Sequence, residues 1–306
     1  MRDQTSGTLQ MTAAMMISGT IGWFVVVSGQ PVIDVVFWRC AIGAVTLALI
    51  CIGKNLLRRD AITRRQLALA ALGGAAIVGN WLLLFAAYPR ASISIATTVY
   101  NTQPFMLVAL GAVFLAERIG AAKIGWLVLA FAGMLLITQT GSDADGTDYF
   151  GGIALALGAA LLYAIASLVA KRLKGVPPHL IALIQVSVGT ALLAPLAHWQ
   201  ALPAQASTWT LLATLGVVHT GLMYILLYGA IQKLPTSLTG ALSFIYPIVA
   251  IAVDALAFGH RLDTWQFVGA SAILLAAAGM TLGWNWRMPL RFARRAAHSP
   301  CEGAAR

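Results

Sequence analysis

The chain has 306 residues, of which 59% are apolar and only 10% charged, with a formal net charge of +10 and a mean hydropathy of +0.83. A soluble domain carries roughly 45–50% apolar and about 25% charged residues, so this chain cannot hide its apolar surface in an aqueous core, and lipid must act as its solvent. The net positive charge would point to nucleic acid in a soluble protein. Here the basic residues sit in short segments between apolar runs, which is a topology pattern, and no nucleic-acid partner is expected. Of the cysteines, Cys40 and Cys51 fall in apolar runs and Cys301 in a basic tail, so no disulfide framework is implied.

A hydrocarbon core of about 30 Å takes roughly 20 apolar residues per helix. Runs of that kind fall at residues 9–28, 32–52, 67–88, 92–115, 124–139, 149–169, 180–197, 209–231, 237–258 and 265–284, which predicts ten transmembrane helices. The first run is read as a span and not as a cleaved signal. Val27-Ser28-Gly29 has the small residues of a cleavage site, but only Arg2 precedes the run, and the run is long for a signal core. With the N-terminus in the cytoplasm, all of the 20 lysines and arginines except Arg39, Arg90 and Arg261 fall in inside segments. That bias predicts a multi-pass protein of the inner, cytoplasmic membrane with both termini inside. The acidic loop with Asp143, Asp145 and Asp148 then falls outside.

The second half resembles the first at one nearly fixed offset. Leu72-Gly73 aligns with Leu215-Gly216, Trp81 with Tyr224, Ala87 with Ala230, Arg90 with Lys233, Ser94 with Ser237, Pro104 with Pro247 and Arg118 with Arg261. Beyond a short length change in one loop, Ala132-Gly133-Met134 aligns with Ala278-Gly279-Met280. Small shifts bring Gly22-Trp23 near Leu162-Tyr163 and Gly43 onto Gly189. An odd number of spans per repeat inverts the second copy in the membrane, and Arg90 outside against Lys233 inside agrees with this. The expected fold is therefore all-α and integral to the membrane: ten transmembrane helices as two inverted five-helix repeats, residues 1–140 and 149–286, with a basic cytoplasmic tail at 287–306. Inverted repeats are a signature of alternating-access transporters, whose substrate site lies near the midplane between the halves.

The segment from Ser94 to Arg118 reads Ser-Ile-Ser-Ile-Ala-Thr-Thr, then Gln-Pro-Phe, then Leu-Ala-Glu-Arg. Its second copy, from Ser237 to Arg261, carries Tyr-Pro-Ile and then Phe-Gly-His-Arg. These stretches resemble the drug/metabolite transporter superfamily, in the branch with paired EamA-type domains, and the resemblance covers essentially the whole chain. The family's Gly-Glu-Arg end motif stands here as Ala116-Glu117-Arg118 and Gly259-His260-Arg261. The resemblance implies a ten-helix exporter of small metabolites, often amino acids, with both termini in the cytoplasm. It leaves the substrate open.

Pro104 and Pro247 fall near the middle of the fourth and ninth spans, where a proline removes a backbone hydrogen bond and kinks a helix. Matched kinks predict hinges beside a cavity. Polar and aromatic residues at similar depth are the candidate cavity lining: Trp23, Asn80, Trp81, Tyr100, Asn101, Tyr163, Ser167, His219, Tyr224, Ser243 and Tyr246, with Gln103 beside the fourth-span kink. Polar groups in lipid are expensive and face the bundle interior or a water-filled cavity. For any one of them the alternative is an interhelical hydrogen bond, worth about 0.6 kcal/mol on average.

Arg39 lies about 10 Å into the second span by helical rise. It is expected to pair with an acid such as Asp254, the alternative being a substrate carboxylate. Asp34 and Asp254 lie nearer the outer face and are expected to snorkel outward. His219 is either a proton relay or a neutral hydrogen-bonding residue. No acidic residue sits at midspan, which favours facilitated diffusion or exchange, with a proton-coupled drug/metabolite antiporter as the rival. Gly19, Gly22, Gly73, Gly74, Gly158 and Gly240 are expected to let helices approach closely.

An enzyme would need a reactive constellation, and the sequence has no H-E-x-x-H site, no G-x-S-x-G elbow and no cysteine beside a histidine. A P-loop is also absent from the sequence. No cofactor is expected. The expected partners are a small-molecule substrate and membrane lipid, including anionic lipid at the basic tail, in a monomer or homodimer. A channel fits the matched kinks less well than a carrier, and a scaffold would show no flux at all.

Overall fold

The computed structural model describes residues 2–58, 61–91, 96, 99–117, 119–138, 149–200, 202–258 and 264–284. Ser94, Arg118, the acidic stretch 143–148, Gly259-His260-Arg261, the side chain of Asp254 and the basic tail from Arg287 lie outside the described residues.

Secondary structure among the described residues is helical throughout. The first half holds α1 (Arg2–Ser28), α2 (Val32–Gly53), α3 (Arg64–Ala91), α4 (Gln103–Leu115) and α5 (Ala121–Thr138). The second half holds α6 (Tyr149–Arg172), α7 (Pro178–Leu193), α8 (Ala206–Gly216), α9 (Met223–Lys233), α10 (Thr236–Ser243), α11 (Ile245–Phe258) and α12 (Thr264–Leu282). Prolines punctuate these helices where a missing N–H costs nothing: Pro31, Pro177 and Pro235 immediately precede α2, α7 and α10. At α3 the start is a capping box, with Gln66 Oε1 accepting the Thr63 N–H at 2.9 Å and Thr63 Oγ1 accepting the Gln66 N–H at 3.2 Å.

Three of the expected spans are not simple helices. The fourth contains a turn at Asn101-Thr102 before α4 begins, and the ninth breaks at Phe244 between α10 and α11. Pro104 and Pro247 therefore do not kink continuous helices. Each sits in the first turn of the segment after the break, where its ring is compatible with the helix and its missing N–H is no loss. The eighth span is interrupted by a π-helical stretch, Val217–Leu222, between α8 and α9.

Among the described residues, five helical stretches are long and apolar enough to cross a membrane: Val32–Gly53, Arg64–Leu84, Phe150–Arg172, Pro178–Leu196 and Ala206–Lys233. Shorter apolar helices run Gln103–Leu115, Ala121–Leu136, Thr236–Ala250 and Phe267–Leu282. Large apolar side chains cover the outside, among them Leu49 at 65% exposure and Val113 at 75%. On a soluble protein such a surface would aggregate, whereas lipid solvates it.

The two halves interleave. The most extensive packing is between helices of opposite halves: α3 against α6 and α7, α5 against α12, α2 against α7 and α8, α1 against α9 and α11, and α4 against α6 and α10. Exchanging the halves maps these pairs onto one another, with α3–α6 matching α1–α9 and α4–α6 matching α1–α11.

Glycines set these crossings. A Cβ on Gly74 would lie 2.9 Å from Gln185 Cα, and one on Gly133 would lie 2.6 Å from the Gly269 carbonyl oxygen, so backbone meets backbone there. Gly22 is the exception among the glycines expected to pack, because a Cβ there meets nothing within 4 Å.

At the end of the bundle that carries the start of α1, Glu117 links both halves. Its Oε1 lies 2.8 Å from Lys171 Nζ, and its Oε2 accepts the Thr236 N–H at 3.0 Å and the Thr236 O–H at 2.6 Å. Lys171 also donates to the Leu234 carbonyl. Ala116, immediately before Glu117, has φ 54, a left-handed position that a glycine fills without steric cost. The glycine of the resembled Gly-Glu-Arg motif thus has a backbone reason.

At the opposite end, Asp34 does not snorkel. It is 6% exposed and accepts the His198 N–H at 2.9 Å, with His198 Nδ1 at 3.0 Å from its second oxygen. A donor that the fold brings from the other half satisfies this carboxylate inside the protein.

Candidate substrate site

The deep polar residues gather around Arg39 of α2. This arginine is 4% exposed, and its guanidinium carbon lies 4.6 Å above the ring centre of Trp81 on α3. Its Nε donates to Thr220 Oγ1 at 3.2 Å and its NH2 to the His219 carbonyl at 3.4 Å. Both acceptors belong to the π-helical stretch. A π turn shifts the register of the backbone, and Thr220 Oγ1 donates five residues back to Leu215 O at 2.9 Å. The interruption of the eighth span is thus what turns acceptors towards α2. The close approach is made possible by glycines: a Cβ on Gly43 would lie 2.6 Å from Thr220 Cγ2, and one on Gly216 would lie 2.5 Å from Ile42 Cβ.

No carboxylate lies within ion-pair distance of Arg39 among the described residues. The expected pairing with Asp254 falls on a side chain outside them.

An aromatic wall extends from this point. Trp81 meets Tyr224 edge-on with centroids 6.4 Å apart, Tyr224 meets Tyr228 at 5.2 Å, and Tyr100 meets Tyr163 at 6.2 Å. Asn80, fully buried on α3, donates to the Ala159 carbonyl at 2.8 Å, and its Oδ1 has no partner among the described residues. Ser167 and Asn101 are buried, and Tyr246 is half-buried against the same core. Ser243 instead bonds back to the Gly240 carbonyl at 2.7 Å, which satisfies it within its own helix. Trp23 meets Phe24 edge-on with centroids 4.8 Å apart, and Phe24 in turn leans on His219 at 4.7 Å. His219 Nε2 lies 2.7 Å from Thr20 Oγ1, and Nδ1 lies 3.3 Å from the Thr214 carbonyl.

Tyr228, Gln185 and Thr220 belong to this region although the sequence reading did not include them. Tyr228 donates to Gln185 Oε1, and both are buried. Their signals were present: Tyr228 is one helical turn past Tyr224, and Gln185 is an amide in an apolar run. Pro104 packs against Gly240 of the other half, so the two broken spans touch beside their breaks.

What assembles is a buried, largely aromatic cluster drawn from α2, α3, α6 and α9, with one guanidinium and a few neutral polar groups. Such a surface can hold a small solute with one anionic end and an apolar body.

The comparisons agree with this architecture. The EamA-like transporter family matches residues 5–139 and again residues 150–282. The uncharacterized transporter YxxF of Bacillus subtilis strain 168 is 28% identical over 283 residues, 92% of this chain and 90% of its own. The threonine/homoserine exporter RhtA of Escherichia coli strain K12 is 30% identical over 219 residues, 68% of this chain and 69% of its own. A solved crystal structure superposes with a TM-score of 0.80 over 96% of this chain and 99% of its own at 20% identity, a likeness of fold. With two matched repeats, an all-helical bundle and an apolar exterior, this chain belongs to the EamA-like transporter family of the drug/metabolite transporter superfamily and is a multi-pass membrane protein.

Proposed function

We propose that this transporter exports amino acids or closely related small metabolites across the cytoplasmic membrane by alternating access, as facilitated diffusion or exchange. The reading takes ten spans in two inverted five-helix repeats, residues 1–140 and 149–286, with both termini and the basic tail 287–306 in the cytoplasm. It treats the protein as a monomer or homodimer that binds substrate and lipid, without nucleic acid or catalysis. The observation that carries it is the buried cluster around Arg39 and Trp81, built from both halves at the seam where they interleave. The 30% identity to a threonine/homoserine exporter supports the substrate class.

The test is counterflow of labelled threonine into liposomes containing the purified protein and preloaded with unlabelled threonine. Saturable, trans-stimulated uptake is expected. Unsaturable flux would indicate a channel, and no flux of any amino acid would sink the reading.

The breaks at Pro104 and Pro247 are read as gates. In the Pro104→Ala/Pro247→Ala protein, counterflow is expected to fall about tenfold while stability stays within roughly 1 kcal/mol, because neither proline interrupts a helix interior. Normal counterflow in a stably inserted double variant would remove the gate assignment.

One observation favours proton antiport as a second reading. Thr20 Oγ1 donates to the Ile17 carbonyl at 2.8 Å and lies 2.7 Å from His219 Nε2, and a neutral His219 has one ring proton, which cannot serve both Thr20 Oγ1 and the Thr214 carbonyl. A His219 protonated on both nitrogens would satisfy Thr20 and the Thr214 carbonyl together. The Arg39 guanidinium bonded to the His219 carbonyl opposes a second charge there. A pH gradient across the liposome is therefore expected to drive no accumulation, and accumulation would select the antiport reading.

A further inference from the structure

Arg39 is an anomaly in its surroundings. A guanidinium at 4% exposure, with no carboxylate in reach among the described residues, is costly to bury unless some anion joins it. The protein satisfies one edge of the fork: Nε and the neighbouring NH2 face Thr220 Oγ1 and the His219 carbonyl. One face is covered by the Trp81 ring. The end-on edge, formed by NH1 and the second NH2 hydrogen, has no acceptor among the described residues. That edge matches the two oxygens of a carboxylate. Neutral acceptors and a stacked ring hold the arginine in place without neutralising it, which is how a site keeps a cation available for an anionic ligand.

The rest of the cluster is as informative. No acidic side chain stands in it among the described residues, so no opposite charge meets the ammonium of an amino acid. What it offers a donor is the unpartnered Oδ1 of Asn80, fully buried one residue before Trp81, together with aromatic faces. An amide oxygen can accept from a hydroxyl as well as from an ammonium, so it does not require a charged donor.

We infer that Arg39 reads the substrate's carboxylate through its end-on fork and that the amine is not read by charge. The carrier's substrates are then small monocarboxylates in general, 2-hydroxy acids as well as amino acids. This rests on the proposed transport function and deepens it, by making the carboxylate obligatory and the ammonium dispensable.

The experiment uses the purified full chain and three probes: threonine, 2,3-dihydroxybutanoate (hydroxyl in place of the amine) and 1-aminopropan-2-ol (carboxylate removed). Binding is measured by calorimetry, and the same compounds compete against labelled threonine in counterflow. The expected result is that threonine and 2,3-dihydroxybutanoate bind within about threefold of each other while 1-aminopropan-2-ol binds at least about tenfold more weakly, the loss of one charge-assisted pair. In Arg39→Gln the two carboxylates should lose about tenfold or more, and Arg39→Lys should recover part of it, keeping the charge without the fork.

The wild-type comparison needs no variant, so a misfolded Arg39→Gln leaves the proposal decidable. Binding of the amine as tight as that of threonine, failure of every carboxylate to bind, or unchanged carboxylate binding in folded Arg39→Gln would each overturn it. If 2,3-dihydroxybutanoate binds and threonine does not, Arg39 stands and the amino-acid assignment falls. If threonine is carried equally by Arg39→Gln and wild type, the transport function stands and Arg39 falls.

Discussion

Replacing Gly43 or Gly216 by valine is expected to lower stability by about 1–3 kcal/mol, the usual cost of overpacking a tight core, and to weaken substrate binding as well. The two glycines face each other where α2 crosses the eighth span. A Cβ on Gly43 would lie 2.6 Å from Thr220 Cγ2, and one on Gly216 would lie 2.5 Å from Ile42 Cβ and 3.1 Å from the Gly43 backbone nitrogen. Neither obstacle is the free end of a flexible chain, so the helices must separate. Thr220 is also the acceptor for Arg39 Nε, one turn from Gly43 along α2, so the displacement reaches the guanidinium. The readouts are the melting temperature of the detergent-purified protein and threonine counterflow. Gly22→Ala is the control: a Cβ there meets nothing within 4 Å, and alanine favours the helix by up to about 1 kcal/mol. A wild-type melting temperature in Gly43→Val would contradict the described crossing.

Glu117→Gln is expected to destabilise the protein by about 1–3 kcal/mol, in the range for leaving a partly buried charge without its partner. Glu117 and Lys171 are 22% and 16% exposed, and the carboxylate holds together the end of α4, the end of α6 and the start of α10. Glutamine keeps an oxygen for Thr236 but leaves the Lys171 ammonium only the Leu234 carbonyl.

The pH dependence distinguishes this from a packing loss. Burial alone would raise the Glu117 pKa, but the hydrogen bonds from Lys171 and Thr236 outweigh it and hold the carboxyl below its ordinary 4.5. A depressed carboxyl contributes stability that is fully present above the unfolded value and is lost as pH falls through the folded one. The gap between wild type and Glu117→Gln should therefore be constant from neutral pH down to about 5 and should narrow in stronger acid. A gap that does not change with acid would mean that Glu117 acts through shape alone.

The helical class, the apolar exterior and the two-repeat organisation were legible in the sequence because each rests on composition or period. Apolar runs mark spans whatever they pack against, and aligned pairs such as Trp81 with Tyr224 or Pro104 with Pro247 survive as pattern. The broken spans were half legible. The prolines marked the right place, but a proline in the first turn of a new helix and a proline kinking an old one look alike in sequence.

Arg39 shows where the sequence stops. Its burial in an apolar run was visible, and so was the absence of a midspan acid. That its neighbours are Thr220, the His219 carbonyl and the face of Trp81 was not, because those contacts join residues about 40 to 180 positions apart and depend on a π-helical stretch with no sequence signature. Asp34 erred for a similar reason, its partner His198 lying in a distant loop of the other half. Local sequence determined which segments are helical, that lipid is their solvent and that two copies of one unit are present. Only the tertiary structure decided which polar side chains meet, because hydrogen bonds and ring contacts act over a few ångströms and are set by how the two halves interleave.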